Sequence, residues 1–430
     1  MLVSSLYNIV DQLFIGQAVG TLGNAATNIA FPLTISCTAL ALLFGIGGAS
    51  CFNLTMGRGD KKTAPYYIGN AIVCLFGSGL ILCLFSQLFL RQLLTAFGSP
   101  ADVLPYAMTY VRITAFGFPF LITTTGGGHL IRADGSPRMT MICNLSGAII
   151  NTILDALFVF GFGWGMAGAA AATIIGQIFS AFLVFRYMMH YKTVPLRAEH
   201  LIIRGTYVGM ITRIGSTSCI NQISMMVVQI VMNNSLKYYG ALSVYGESIP
   251  IACAGIIIKV NQIFMSIVIG LAQGSQPIES FNYGAGKYSR VRATYKLGVS
   301  LGMIIAIGAF LIFQFLPRQI ISLFGSGSEE YYAFAVSYFR IFLFFTWANC
   351  LQPLTSTFFS SIGKAGNGVF LALTRQIIFL LPLILILPHF LGIDGILYAG
   401  PVADGVSAAT AILMAAKEFR RMPREDAVTP

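Results

Sequence analysis

The stretch PRMTMICNLSGAIINTILDALFVFGFG, Pro137 to Gly163, decides how the chain is built. It is long enough to cross a bilayer as one helix, for which about 20 residues suffice. Within it Asn151 and Asp155 stand four residues apart, so they share one helix face. A charge at a membrane helix centre costs about 2.5–3.5 kcal/mol on an insertion scale, and function is the default reason for meeting that cost.

Runs of this kind recur from one end of the chain to the other. The 430 residues are 56% apolar and 10% charged, against about 25% charged in soluble domains, which excludes an aqueous globule. Twelve apolar segments are predicted, at 1–20, 26–56, 66–90, 103–131, 137–162, 166–190, 208–238, 241–276, 290–317, 331–361, 365–391 and 395–417. The expected fold is thus an all-α membrane protein whose partner is the lipid bilayer. The net charge of +11 does not point to nucleic acid, because the 26 Lys and Arg alternate between rich and poor connections. Even-numbered connections and the C-terminus hold most of them, for example Arg58, Lys61, Lys62 and Lys417, Arg420, Arg421, Arg424. Odd-numbered connections hold only Arg91, Lys237 and Arg318, while Arg112, Lys259, Arg340 and Arg375 fall inside segments. By the positive-inside rule both termini are cytoplasmic. The eight cysteines all lie in apolar segments without a CxxC pair and read as packing residues. The N-terminus has no basic leader and carries Asp11 in its apolar run, which argues for a first helix over Met1–Val19 and against a cleaved signal peptide.

The chain also matches itself. Gly57-Arg58-Gly59 answers Gly284-Ala285-Gly286 at an offset of 227, Tyr110-Val111-Arg112 answers Tyr338-Phe339-Arg340 at 228, Gly135 answers Gly363 at 228, and Gly165 and Gly168 answer Gly392 and Gly395 at 227. A duplicated six-helix unit follows. Six is even, so the two copies enter the membrane in the same sense, as parallel repeats with a ligand cleft expected between them. The lobes are expected at 1–192 and 208–419, with a cytoplasmic linker at 193–207 and a cytoplasmic tail at 420–430. His200 in the linker, beside Arg197 and Glu199, reads as interfacial. Pro32, Pro119, Pro250, Pro353, Pro382 and Pro401, with Gly126-Gly127-Gly128, mark expected bends.

Most of the fifteen acidic residues sit in loops or tails, Asp134 among them, and Glu279 lies near a cytoplasmic helix end. Asp11, Asp155, Glu247 and Asp404 remain inside apolar segments, the last two toward helix ends. Counting from the outer turns places Asp11, Tyr110, Asn151, Asp155 and Thr173 roughly 9–15 Å below the outer boundary at the α-helical rise. Oxygen groups from four segments therefore share one level, as a small-cation site needs. The second copy has Pro382 or Leu383 in place of Asp155 and Ile378 or Phe379 in place of Asn151.

On Leu6-Tyr7-Asn8-Ile9-Val10-Asp11 with Phe14-Ile15-Gly16, Ile131-Arg132-Ala133-Asp134-Gly135, Asn151 to Asp155 with Gly165 to Thr173, and Gln276-Pro277-Ile278 with Asn282-Tyr283-Gly284-Ala285, the chain resembles the multidrug and toxic compound extrusion (MATE) family, near its MepA-like and DinF-like bacterial branch. The resemblance covers essentially the whole sequence. It implies twelve helices in two six-helix bundles and antiport of drug against cation by alternating access. It also implies that Asp11, Asn151, Asp155 and Thr173 hold the coupling cation, and would be the ligands of Na⁺ in a sodium-coupled protein. Helices seven and ten, which carry coupling acids in another branch, have no carboxylate here at 208–238 or 331–361. Family members usually extend ahead of the position of Met1, so a longer first helix is expected.

Either Na⁺ or H⁺ could then drive export of small amphiphilic cations, with no cofactor beyond that ion, from a monomer in the bacterial inner membrane. Two carboxylates in one site compete for proton and sodium with the same oxygens. The rival transport reading is a flippase for lipid-linked saccharides, which calls for a strongly cationic cavity. An intramembrane enzyme would need DDxxD, HExxH or GxSxG-type clusters, and none occurs. Drug-contacting residues are not identifiable from sequence.

Overall fold

Helices make up nearly all of what the computed structural model describes, residues 21–97, 99, 103–244, 248–324, 329–423 and 426. The predicted segment 1–20 with Asp11, and also Glu247, lie outside the described residues. First come α1 (Thr21–Gly57), α2 (Ala64–Leu88), α3 (Leu104–Thr114), α4 (Phe118–Ala133), α5 (Pro137–Asp155) and α6 (Gly165–Met188). Then follow α7 (Gly205–Ala241), α8 (Ser248–Gly284), α9 (Tyr288–Phe315), α10 (Glu329–Phe342), α11 (Leu351–Ser361), α12 (Ala365–Leu373), α13 (Leu381–Leu391) and α14 (Ile393–Arg421). Among the described residues nine helical stretches are long and apolar enough to cross a membrane, and α10 with Thr346–Ser361 makes a tenth passage bent by 47°. Helix α8 runs past the predicted end at 276 through Pro277 to Gly284, with Asn282 Nδ2 donating to the Ile278 carbonyl at 2.8 Å in its last turn.

The internal repeat is written into the backbone. Gly59, Gly135, Gly286 and Gly363 all have positive φ, from 69° to 83°. In each turn the glycine amide donates to the carbonyl three residues back, and the following amide reaches the carbonyl five residues before it. This is the left-handed cap that glycine favours at helix ends, and it falls at offsets of 227 and 228. Gln87 Nε2 donates to the Arg112 carbonyl at 2.7 Å, and Gln314 Nε2 donates to the Arg340 carbonyl at 2.9 Å, again 227 and 228 residues on. The fourth passage of each copy breaks at the same place, at Ala115–Gly117 and at residues 343–345, where sequence hydropathy had suggested one continuous span. Of the expected bend prolines, Pro119, Pro250 and Pro353 stand in the first turn of a helix, where the missing N–H is harmless, Pro382 follows the π-helical stretch Thr374–Leu380, and Pro32 and Pro401 lie inside continuous helices.

Cα proximity divides the chain into Met1–Cys219 and Ile220–Pro430. The first unit packs through small residues, among them Ala41, Ala71, Ala107, Ala169, Ala170 and Ala172, all fully buried or nearly so. The second packs through rings: Phe334, Tyr338, Phe339, Phe358 and Phe359 are its largest fully buried side chains.

Residues 189–204 are bound to the first unit at two places. Asp134, read from sequence as a loop acid, is buried and accepts Tyr187 Oη at 2.7 Å, the Lys192 and Thr193 amides at 2.8 Å each, and the Thr193 hydroxyl. Asn70 Nδ2 donates to the carbonyls of His200 and Ile202 at 3.3 and 3.2 Å, and Asn70 Oδ1 accepts the Arg204 amide at 2.8 Å. His200, expected at the interface with water, is instead buried edge-on to Tyr66 with ring centroids 4.7 Å apart. Asp134→Ala leaves a buried phenol and two amides to find new acceptors, so it should lower stability by about 1–3 kcal/mol and speed tryptic cleavage at Lys192 and Arg197. Cleavage kinetics and a melting curve check this, and unchanged cleavage would refute the clasp.

Candidate functional site

The residues that bury α5 are Thr140, Cys143, Gly147, Asn151 and Asp155, at successive steps of three or four. Its exposed residues include Met141, Ile142, Leu145, Ile149 and Ile153. Polar and small groups thus turn inward and apolar ones outward, the arrangement a lipid-facing helix needs, because protein supplies the only hydrogen-bond partners at that depth.

Helix α6 meets this face as an antiparallel neighbour. Ser180 Oγ donates to the Cys143 carbonyl at 2.8 Å. One turn on, Gly147 and Gly176 touch backbone to backbone: a Cβ on Gly176 would lie 2.7 Å from the Gly147 carbonyl oxygen and 3.0 Å from Asn151 Cβ. One turn further, Asn151 Nδ2 donates to Thr173 Oγ1 at 3.2 Å, and that hydroxyl donates onward to the Ala169 carbonyl at 2.9 Å. Asn151 Oδ1, though buried, accepts no hydrogen bond among the described residues. The same register brings Asp155, 1% exposed, to the level of Ala169.

A π-helical stretch, Ala156–Gly161, begins directly after Asp155. Such single wide turns interrupt α-helices mostly at functional positions. It was not expected from the sequence. The π stretch of the second unit, Thr374–Leu380, sits elsewhere in the repeat.

Tyr110 lies half-buried on α3, which packs against α6. Asn151, Asp155 and Thr173 therefore occur together on adjoining helices, with Tyr110 on a third helix of the same unit.

Asp404 has a different setting. It was expected near a helix end within reach of water, yet it lies mid-helix in α14, 2% exposed, and accepts Arg375 Nε at 2.5 Å. Arg375, one of the four basic residues inside predicted segments, is thereby paired within the second unit. By the repeat offsets it answers Gly147, and Asp404 answers Gln177. Gly400, the counterpart of Thr173, lies under the ring of Phe342, where an added Cβ would sit 2.7 Å from Cδ2.

Among the described residues no group of three or more His, Cys, Asp or Glu side chains could hold a metal ion. Asn151, Thr173 and one carboxylate are a donor set of hard oxygens, which suits a small cation of low charge bound with help from further oxygen groups.

The family model described as MatE matches residues 1–157 and 217–386. The chain is 23% identical to the multidrug export protein MepA of Staphylococcus aureus (strain MSSA476) over 415 residues, 96% of this chain and 90% of that protein. It is also similar to a solved structure of the MATE multidrug transporter DinF-BH, at 31% identity and a TM-score of 0.89, covering 97% of this chain and 92% of the other. An outward-facing MATE family transporter of the MOP superfamily superposes with a TM-score of 0.91 at 19% identity, over 98% of this chain and 93% of that one. The fold is accordingly the all-α, twelve-helix membrane fold of those transporters.

The close crossing of α5 and α6 has a direct test. Gly176→Ala drives a methyl into the Gly147 backbone and should destabilise by about 1–3 kcal/mol, whereas Gly77→Ala in α2, with nothing within 4 Å of an added Cβ, should be neutral or slightly stabilising. Thermal melts of the two purified variants decide. Equal melting temperatures would mean that the crossing relaxes freely.

Proposed function

The chain belongs to the MatE family, and from that premise we propose that it is a secondary multidrug efflux transporter in which Asn151, Asp155 and Thr173 form the described part of a coupling-ion site. Asp11, on the first predicted helix, completes the proposed set, and Tyr110 borders it. The observation that supports this reading best is the Asn151–Thr173 bond, with the unused Asn151 carbonyl oxygen beside a buried carboxylate one turn away. An amide oxygen, a hydroxyl oxygen and a carboxylate can replace the hydration shell of Na⁺, or the carboxylate can take a proton.

In the proposed cycle, Na⁺ or H⁺ entering from outside binds this cluster, and a small amphiphilic cation leaves the protein in exchange. The ion shifts the conformational equilibrium only by its differential affinity for the two states. Asn151 and Thr173 bridge α5 and α6, so a cation drawn onto their oxygens and Asp155 acts on the contact between two helices and not on one side chain alone. The protein would need no cofactor beyond that ion. It would act as a monomer in the bacterial inner membrane with both termini cytoplasmic, a placement supported by the alternation of Lys and Arg.

The flippase reading has less support, since Arg112 and Arg340 are exposed on their helices and Arg375 is engaged by Asp404. Lipid-linked saccharides would instead need unpaired cations facing the cavity.

Ethidium efflux from vesicles, driven separately by a Na⁺ gradient and by a proton gradient, tests the coupling role. Asp155→Asn should abolish acceleration by whichever gradient drives the wild type, and Thr173→Val should weaken it. Gradient-driven efflux that survives unchanged in Asp155→Asn would remove Asp155 from the mechanism.

A further inference from the structure

The second unit contains a carboxylic acid that the proposed coupling cluster does not use. Glu279 lies on α8, five residues before its end at Gly284, and is 2% exposed. From sequence it read as a residue near a helix end. No basic side chain stands within ion-pair distance of it among the described residues. Lys364, three residues beyond α11, is held by Glu418 at 2.6 Å, and Arg292 on α9 donates to the Met422 and Pro423 carbonyls at 2.8 and 2.6 Å. Lys364 and Arg292 are therefore occupied elsewhere.

What surrounds Glu279 is hydroxyl. Ser361 Oγ is 2.7 Å from Glu279 Oε2 and 2.8 Å from the Phe358 carbonyl oxygen. Ser275, one turn earlier on α8, is its other hydroxyl neighbour and already donates to the Ala272 carbonyl at 3.0 Å. A serine has one hydrogen to give. Each of these two faces two acceptors when Glu279 is ionised, and a buried carboxylate that cannot draw on full donors is strongly disfavoured. A protonated Glu279 removes the conflict: its own O–H donates to Ser361 Oγ, the Ser361 hydrogen goes to Phe358, and the Ser275 hydrogen stays on Ala272.

Helix α9 also carries Arg290 and Lys296, and neither pairs with Glu279 among the described residues. Helix α9 contributes Tyr295, whose hydroxyl bonds Thr355 Oγ1 at 2.8 Å. Helix α11 carries no titratable side chain. Tyr338, on α10, lies with Cys253 toward the start of α8 and not near Glu279. Tyr283 in the last turn of α8 and Tyr288 at the start of α9 pack edge to face on each other with centroids 5.6 Å apart.

We propose that Glu279 is a proton-binding site of the second unit, a buried carboxyl that holds one proton in the conformation described and, on releasing it toward the end where the C-terminal tail emerges, accepts a hydrogen bond from the Ser361 hydroxyl instead. The step is a simple acid dissociation: the O–H bond of Glu279 breaks, its electron pair stays on the carboxylate, and the proton passes to water. The site is independent of the coupling cluster in the first unit.

Infrared difference spectra of the full-length protein in lipid vesicles, recorded between about pH 5 and pH 9, report protonated carboxyls directly, and ordinary solvent-exposed Asp and Glu are ionised over most of that range. The wild type should show a carboxylic-acid C=O band above the range of exposed acids. Glu279→Gln should delete it, and Asp155→Asn should leave it in place. Ser361→Ala, which keeps the acid and removes only its hydroxyl neighbour, should shift the frequency of that band. Superimposable spectra of wild type and Glu279→Gln would overturn the proposal. Should Glu279→Gln fail to insert, a band unmoved in Ser361→Ala would overturn it equally, and neither result bears on ion coupling through Asp155.

Discussion

The contact on which the first unit depends is the backbone approach of α5 and α6 at Gly147 and Gly176. In a bilayer the hydrophobic effect does not drive one helix onto another, because lipid tails are as apolar as leucine, so association rests on close packing and interhelical hydrogen bonds. Two glycines allow the first. The bonds on either side, Ser180 to Cys143 and Asn151 to Thr173, are made possible by that closeness. The polar pair is thus a product of the packing as much as a contributor to it. A larger residue at the crossing would move both helices away from the distance at which an amide can reach a hydroxyl.

The course of the chain is legible in its sequence because membrane helices obey one strong rule, that apolar stretches of sufficient length must cross as helix. The repeat is legible for a sharper reason. Gly59, Gly135, Gly286 and Gly363 occupy left-handed caps where any other residue is strained, so duplication preserved them where it let most other positions drift. One contact among the candidate residues was readable too, since Asn151 and Thr173, placed at one depth by counting residues, do meet. What sequence could not reveal depends on distant parts of the chain. Asp134 becomes a buried acceptor only because residues 191–193 return to it, and Arg375 finds Asp404 across 29 residues. Glu279 read as lying near a cytoplasmic helix end because the predicted segment stopped at 276, and neither the run of α8 on to Gly284 nor the cover by Ser361 was visible. The π stretch after Asp155 has no propensity signature.

The two copies have resolved one structural problem in opposite ways. Where the first unit lets α5 and α6 touch at Gly147, the second has Arg375, and the adjoining helix position is Asp404. Where the first unit has Asn151, the second has Ile378 or Phe379, and Thr173 becomes Gly400 beneath Phe342. Both units therefore place polar groups between their last two membrane passages, and only the partners differ. An ion pair buried this way contributes little net stability relative to well-packed apolar groups, yet removing one member leaves an uncompensated charge. Its consequence is fixity.

That fixity bears on where an exchangeable cation can act. A coupling ion has to arrive and leave, and the work it does is the difference between the states it binds. A guanidinium tethered through its own side chain cannot leave, so at the level of Arg375 and Asp404 the second unit has its positive charge permanently in place. Asp404, although buried like Asp155, is for this reason already matched by a tethered charge, the side chains of the pair being 12% and 3% exposed. Duplication followed by this one pairing is sufficient to make the halves unequal. The same helix positions in the first unit hold glycine and glutamine, which bring no charge of their own, and on the proposed function it is there, one turn from the oxygens of Asn151, Thr173 and Asp155, that a mobile cation would be received.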